Sequence, residues 1–169
     1  MSRAPVSARP DRLAPSLLDR LIDTDPELPH DPPISRSETL NGLREAVRRD
    51  LAILLNTRCR PTSPPDGLPV LEDSLVGLGV EDFFNASLVT DEQRRRFAAR
   101  IEWRIARFEP RLEDLSVSLL PMPQQDQRAL RLRITARFRA RPGLPPVSFE
   151  TRLDPATHGF TVISGARHA

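Results

Sequence analysis

Hydrophobic residues recur at intervals of three and four in two segments of the chain, which predicts two amphipathic helices. The first segment follows Ser35-Arg36-Ser37-Glu38 and the second follows Thr90-Asp91-Glu92-Gln93, and both tetrads have the spacing of a capping box. The second helix should end near Phe108, because Pro110 cannot continue a helix with a normal backbone bond. The predicted buried stripes are Leu40, Leu43, Val47, Leu51 and Leu54 in the first helix, and Phe97, Ile101, Ile105 and Phe108 in the second.

After Pro110 the apolar period changes to two residues, which is typical of strands with one buried face. The strongest alternation covers residues 130–138, and shorter ones cover residues 115–119, 147–153 and 160–163. Because helices precede strands, the sequence predicts an α+β fold. Its N-terminal helices are expected to be followed by a small antiparallel sheet of three to four strands.

Two other parts of the chain have a composition of their own. Residues 1–34 carry seven of the 18 prolines, which predicts a flexible proline-rich arm before a single α+β domain in residues 35–169. A short amphipathic helix is expected inside the arm, and so short a helix needs a surface to dock on, either its own domain or a partner's groove. The residues on its apolar face include Leu17, Leu18 and Leu21.

Between the two long helices the chain is predicted to form irregular structure. Prolines and Gly67 interrupt residues 59–71 and favour a loop. Residues 74–84 are apolar but punctuated by Gly77 and Gly79, so we expect them to pack over the core without forming a helix or strand.

The composition argues against several functional classes. All 25 basic residues are arginines, and 23 acidic residues offset them, so the net charge of +2 does not indicate a nucleic-acid partner. Cys59 is the only cysteine and the three histidines are scattered, which argues against a disulfide and a metal site. The first residues include no apolar run long enough for a signal sequence or a membrane span, so we expect a cytoplasmic protein.

Signatures of catalysis are weak. The chain has no lysine for a phosphate loop, and no serine lies in a nucleophile elbow. A lysozyme-like glycan hydrolase needs two carboxylates, and Glu109 with Glu102, Glu113 or Asp114 offers the only nearby pairs. Arg111 should keep Glu109 ionised, which is the opposite of what a general acid needs. We therefore expect no enzyme activity and no cofactor, with a glycan-cleaving hydrolase as the alternative.

A row of arginines raises a second alternative, an arginine-rich nucleic-acid-binding module. The row lies on the solvent face of the strand predicted at residues 130–138 and lacks the interleaved aromatic side chains on which bases stack. A solvated sheet face partly neutralised by Glu150 on the next strand explains the row more simply. Its members are Arg131, Arg133, Arg137 and Arg139.

The connector Glu109-Pro110-Arg111 combines a carboxylate, a rigid residue and a guanidinium. If it is extended, Glu109 and Arg111 lie on the same side, because side chains alternate along extended backbone. Two roles remain open. Arg111 can form a bidentate contact with a partner's carboxylate while Glu109 accepts hydrogen bonds from a partner. Alternatively, both side chains tie the helix end to the sheet.

Four groups of residues in a fixed order carry a resemblance to a known family. They are Ser16 to Leu21; Leu43 to Leu51 followed by Leu54-Leu55-Asn56-Thr57-Arg58; Ser74-Leu75 with Gly79 and Asp82-Phe83; and Phe108-Glu109-Pro110-Arg111-Leu112. Together they resemble TssE, the baseplate subunit of bacterial type VI secretion systems. That family is similar to the small wedge protein of contractile phage baseplates, which was once labelled lysozyme-like.

The resemblance implies a structural, non-enzymatic protein that joins wedge subunits of the TssF, TssG and TssK type. It also implies a platform on which a contractile sheath of TssB and TssC type subunits polymerises by strand sharing. The implied location is the cytoplasm, in a baseplate docked at the inner membrane, with no nucleic acid, no small-molecule substrate and no insertion into the membrane. An open sheet edge suits this role, because an added strand satisfies a row of backbone groups. The residues predicted to contact partners are Glu109, Pro110 and Arg111 in the connector and Leu17, Leu18 and Leu21 in the arm.

Overall fold

The computed structural model of the chain contains two long helices followed by a four-stranded antiparallel sheet within its described residues. The predicted α+β class is therefore confirmed. The predicted arm helix lies outside the described residues except for Leu21, which is helical and exposed. The structure describes residues 21, 26–27, 36–60, 68–72, 74–81, 90–121, 130–139, 144–154, 157 and 159–165.

The chain divides into two compact units, residues 1–46 and residues 47–169, and the boundary between them falls inside the first long helix. In the first unit the described residues of that helix are amphipathic, with Leu40 and Leu43 half-buried. The second unit contains the rest of the helix and everything that follows it. The predicted division between residues 34 and 35 stays a prediction.

Local sequence signals set the ends of the helices. Helix α1 covers Arg36–Asn56 and helix α2 covers Asp91–Phe108, where the sequence predicted it to end. The Thr90 hydroxyl accepts a hydrogen bond from the Gln93 N–H at 3.2 Å, and the Gln93 side chain accepts one from the Thr90 N–H at 2.9 Å. The second capping box is thus confirmed. The first one includes Ser35, which lies outside the described residues.

The sheet has the strand order β1-β2-β3-β4, and each strand is antiparallel to its neighbours. The predicted bounds of the second strand are confirmed, and the third and fourth strands agree to within one residue at each end. The strands are β1 (Leu112–Leu119), β2 (Leu130–Phe138), β3 (Val147–Asp154) and β4 (Gly159–Ser164).

Strand β1 begins three residues before the predicted alternation, because a bulge interrupts its pairing with β2. The register shifts between Glu113 and Ser116, and Asp114 has a φ of 50°, in the left-handed region. The extra residue resets the two-residue period, so Leu112 and Leu115 are three apart and no alternation links them. The sequence pattern therefore shows the strand only after the bulge.

The core of the second unit lies between one face of the sheet and the apolar stripes of the helices. The Phe97 ring of α2 stacks on the Phe160 ring of β4, with centroids 6.4 Å apart. This contact joins the helix to the edge strand opposite β1. The largest fully buried side chains are Val47, Leu51 and Leu55 in α1, Ile101 and Ile105 in α2, and Leu132, Ile134, Phe149 and Thr151 in the sheet.

Thr151 is the polar member of that buried set. Its hydroxyl has no hydrogen-bond partner within the described part of the chain. A buried hydroxyl that loses its bonds to water without gaining a protein partner lowers stability.

We predict that Thr151→Val stabilises the protein by about 1 kcal/mol, because valine has a similar shape and no polar atom to desolvate. Thermal unfolding should show a melting temperature higher by about 3 °C. The control is Thr135→Val, on the opposite face of neighbouring strand β2, where the threonine is half-buried. An unchanged or lower melting temperature for Thr151→Val would contradict the prediction.

Candidate partner-binding site

The connector between α2 and β1 is a turn, so the condition of an extended backbone is not met. The Leu112 N–H donates to the Glu109 carbonyl at 3.1 Å, and Glu109 has a φ of −123° and a ψ of 71°. Pro110, with its fixed φ, occupies the second position of this turn, where proline is favoured. The two charged side chains nevertheless meet.

The guanidinium of Arg111 bonds to two carboxylates at once. Its Nε and Nη2 donate to Oε1 and Oε2 of Glu109, each at 2.5 Å, and Nη2 also donates to Oδ2 of Asp50 at 2.5 Å. Asp50 lies on α1, Glu109 follows α2, and Arg111 directly precedes β1. One side chain therefore joins both helices to the start of the sheet, in the bidentate geometry that only arginine offers.

Burial distinguishes this network from a surface ion pair. Glu109 is buried, whereas Arg111 and Asp50 are partly exposed. The pKa of Arg111 is raised above its ordinary value, chiefly by the hydrogen bond with Glu109, whose charge adds to the rise along with the contacts of Asp50. Desolvation acts in the opposite direction but is outweighed. Both carboxylates bond to the same guanidinium, which is consistent with a structural role in joining α1, α2 and β1.

The predicted site residues divide between the surface and the interior. Pro110 is exposed and Arg111 is partly exposed, while Glu109 lies beneath them. Leu21 is exposed, and Leu17 and Leu18 lie outside the described residues. The structure thus brings the connector residues together and shows them engaged within the chain.

Sequence reasoning did not include Asp50, the third member of the network. A signal was present, because Asp50 follows Val47 by three residues and directly precedes Leu51, so it borders the buried stripe of α1. An acidic residue beside a buried stripe needs a partner, and Arg111, 61 residues further along, supplies one.

Side chains from the helices also bond to the outer backbone groups of both edge strands. On β4, the Asn56 amide accepts from the Phe160 N–H at 2.8 Å and donates to the Phe160 carbonyl at 2.9 Å. Arg48 donates to the Val162 carbonyl at 3.0 Å. An amide side chain has the same donor and acceptor as a peptide group, so Asn56 takes the place of a neighbouring strand.

At the other edge of the sheet, helix α2 packs against β1. The carboxylate of Glu102 accepts a hydrogen bond from the Val117 N–H at 2.8 Å. The two edges of the sheet are therefore protected differently, β1 by a helix and one of its carboxylates, and β4 by two side chains of α1.

The outer face of the sheet carries the predicted arginine row, and its partial neutralisation is confirmed. Glu150 accepts hydrogen bonds from Arg133 at 2.9 Å and from Arg131 at 3.3 Å. These contacts lower the pKa of Glu150, chiefly through the hydrogen bond from Arg133, which outweighs the opposing effect of desolvation.

Two further properties of the described residues bear on function. Their His, Cys, Asp and Glu side chains form no group of three or more that could hold a metal ion. Neither of the long helices is apolar enough to cross a membrane.

A comparison with protein families gives one match. Residues 41–143 match the model of the family described as baseplate wedge protein gp25. The matched range covers more than half of the 169 residues and runs from α1 past the end of β2, so it contains the whole Asp50, Glu109 and Arg111 network. A search of curated proteins found no match.

Removing the guanidinium of Arg111 should show how much the network contributes to stability. We expect Arg111→Ala to lower the free energy of unfolding by about 3 to 5 kcal/mol, because it leaves the buried Glu109 without a partner. Arg111→Lys should lose a smaller part of this, since it keeps the charge but not the bidentate contact. Urea denaturation followed by circular dichroism measures both.

The matched control for these variants is Arg96→Ala, which breaks an exposed pair with Glu92 on the surface of α2. Its unfolding free energy should change by less than about 1 kcal/mol. If Arg111→Ala and Arg96→Ala unfold alike, the network does not hold the elements together.

Glu150→Gln tests the charge on the outer face. Because the pKa of Glu150 is lowered on folding, its ionised form stabilises the folded state above the unfolded pKa of about 4.3, and this contribution disappears as the pH falls through the folded value. At pH 7 the variant should therefore be less stable than the wild type, by up to about 1 kcal/mol, and this difference should shrink as the pH falls below the unfolded pKa. Thermal melts between pH 3 and pH 7 measure it, with Glu72→Gln as the control for net charge. A difference that does not change with pH would refute this account.

Proposed function

The chain belongs to the baseplate wedge protein gp25 family, and on this premise we propose that it serves the baseplate of a bacterial type VI secretion system. In that baseplate it joins the wedge complex and provides the platform from which the contractile sheath polymerises. The observation that carries the proposal is the family match over residues 41–143. A baseplate wedge protein is a structural component, so the predicted non-enzymatic role is confirmed at the level of the family.

The choice of a secretion system over a phage rests on the resemblance to TssE. It is supported by the order of the Asn-Thr-Arg element at Asn56, the Ser74-Leu75 element and the Glu-Pro-Arg element at Glu109. Partners of the TssF, TssG and TssK type in the wedge, and of the TssB and TssC type in the sheath, follow from this choice. The baseplate would be docked at the inner membrane on its cytoplasmic side.

We propose that the connector contacts the wedge through its exposed part. Pro110 offers a rigid apolar surface, and the partly exposed Arg111 can receive a partner's carboxylate beside Asp50. Glu109 contributes from below by fixing the orientation of the guanidinium. The apolar arm residues Leu17, Leu18 and Leu21 form the proposed second contact with the wedge.

We infer that strand sharing with the sheath uses β4. The outward groups of Phe160 and Val162 bond to Asn56 and Arg48, and side chains can rotate away when a strand supplies the same hydrogen bonds. At β1 the obstacle is helix α2 itself, whose displacement would disrupt the core. By the two-residue alternation of the backbone, Ser164 presents its N–H to the same open side as Phe160 and Val162.

The test uses the purified full chain with the TssF–TssG–TssK wedge complex and the TssB–TssC sheath subunits of the same genome. Wild-type protein should be retained by the wedge complex and should then seed sheath assembly. Ser164→Pro removes an outward N–H that pairs with no strand of this sheet, so it should keep wedge binding and the melting temperature but lose seeding. Ser164→Ala is the matched control and should seed normally.

Each part of the proposal can fail separately in this experiment. Retention by a phage wedge complex in place of the secretion complex would assign the chain to a phage baseplate. Normal seeding by Ser164→Pro would rule out strand addition along β4 while leaving the wedge assignment intact.

A further inference from the structure

Two side chains of α1 occupy outward backbone groups of β4 that would otherwise be open to another strand. Asn56 bonds to both the N–H and the carbonyl of Phe160, and Arg48 donates to the Val162 carbonyl at 3.0 Å. We call Asn56 and Arg48 the edge latch. Their hydrogen bonds take the positions that a fifth strand of the sheet would use.

The end of α1 sets the orientation of the Asn56 amide. Its Nδ2 donates to the Ala52 carbonyl at 2.8 Å as well as to the Phe160 carbonyl at 2.9 Å, so both hydrogens of the amide group are used. Its Oδ1 accepts from the Phe160 N–H at 2.8 Å. The amide therefore faces β4 with its donor opposite a carbonyl and its acceptor opposite an N–H.

The two residues that follow Asn56 complete the end of the helix. The last carbonyls of a helix lack partners within it. The Thr57 hydroxyl donates to the Ile53 carbonyl at 2.7 Å, and Nη1 of Arg58 lies 3.4 Å from the Leu55 carbonyl oxygen that it contacts. The Asn-Thr-Arg element thus has two parts, since Asn56 reaches β4 while Thr57 and Arg58 close the turn from which it reaches.

The edge latch can be displaced without disturbing the core. Asn56 is exposed and Arg48 is half-buried, so water can replace their hydrogen bonds when the side chains turn away. The side chains of Phe160 and Val162 are buried and need not move. Displacement therefore costs hydrogen bonds that water largely restores, and no apolar burial.

Part of the β4 edge lies beyond the edge latch. Ser164 is exposed, and within the described part of the chain no group bonds to its outward N–H. An incoming strand can begin to pair there and then compete with Arg48 and Asn56 in turn. Because extended backbone offers a donor and an acceptor on every second residue, it can replace each bond of the latch, whereas a helix uses its own backbone groups internally.

We propose that the edge latch keeps β4 closed to strand addition in the free chain, and that an incoming extended strand displaces it. The proposal rests on the proposed function for the identity of that strand, which belongs to a sheath subunit. It rests on the hydrogen bonds of Asn56 and Arg48 for the latch itself. The latch opposes the step in which the sheath strand pairs with β4, so weakening the latch should accelerate seeding.

Amide hydrogen exchange of the free full chain, followed by NMR, tests whether the edge is closed. Asn56→Ala should speed the exchange of the Phe160 amide at least about tenfold, because this N–H loses the Asn56 acceptor. The Thr161 amide is the internal control and should exchange at the same rate in both proteins, since it points toward β3. Equal exchange of the Phe160 amide in the two proteins would overturn the proposal.

The rate of sheath seeding on the wedge complex tests whether the latch opposes strand addition. Asn56→Ala should raise the rate about tenfold, because two hydrogen bonds no longer compete with the incoming strand. Arg48→Ala removes one bond to β4 and should raise the rate about threefold. The matched control is Thr57→Val, which loses a hydrogen bond within α1 beside the latch but none to β4, and its rate should stay within about twofold of the wild type.

The outcomes separate this proposal from the proposed function. If both latch variants seed at or below the wild-type rate, the latch does not oppose strand addition, and the proposal fails while the proposed function stands. A Thr57→Val rate as high as that of Asn56→Ala would assign the effect to a loosened helix end and would also overturn the latch. Failure of the wild type to seed would instead overturn the sheath part of the proposed function, and exchange of the Phe160 amide would still decide whether the edge is closed.

Discussion

The architecture of residues 47–169 depends on one guanidinium that satisfies two carboxylates at a corner where three elements meet. Arg111 follows a proline turn, and the turn brings its side chain back onto Glu109 at the end of α2 and across to Asp50 on α1. A buried carboxylate is costly to desolvate unless a charged donor meets it, and Arg111 supplies that donor to Glu109. The same set leaves Pro110 and part of Arg111 at the surface. A structural tie and a surface for a partner are therefore compatible at this corner.

The surfaces assigned to partners share a physical logic. At the connector and along β4, side chains of the chain itself hold the groups that we propose for partners in place. Glu109 fixes the guanidinium of Arg111, and Asn56 holds the outer backbone of Phe160. A component that joins several neighbours gains from such order, because each contact then costs less conformational entropy.

Much of the fold follows from local rules that are visible in the sequence. The Thr90 capping box, the end of α2 before Pro110 and the alternation of β2 all depend on neighbours within a few residues, and all are confirmed. The start of β1 cannot be recognised in the sequence, because the bulge at Asp114 adds a residue and shifts the alternation of apolar and polar residues. The sequence leaves the conformation of the connector open, and the structure shows a turn closed by the hydrogen bond from the Leu112 N–H to the Glu109 carbonyl. Asp50 as a partner of Arg111 is a tertiary contact that no local pattern specifies.

The Asn56 amide on β4 has a consequence for the free protein. Sheets with open edges can pair edge to edge with identical molecules, and such pairing is the first step of β-aggregation. An amide that already bonds to the N–H and the carbonyl of Phe160 interrupts the template at that point. An identical chain therefore finds fewer free backbone groups on β4 to pair with, which favours separate molecules in solution.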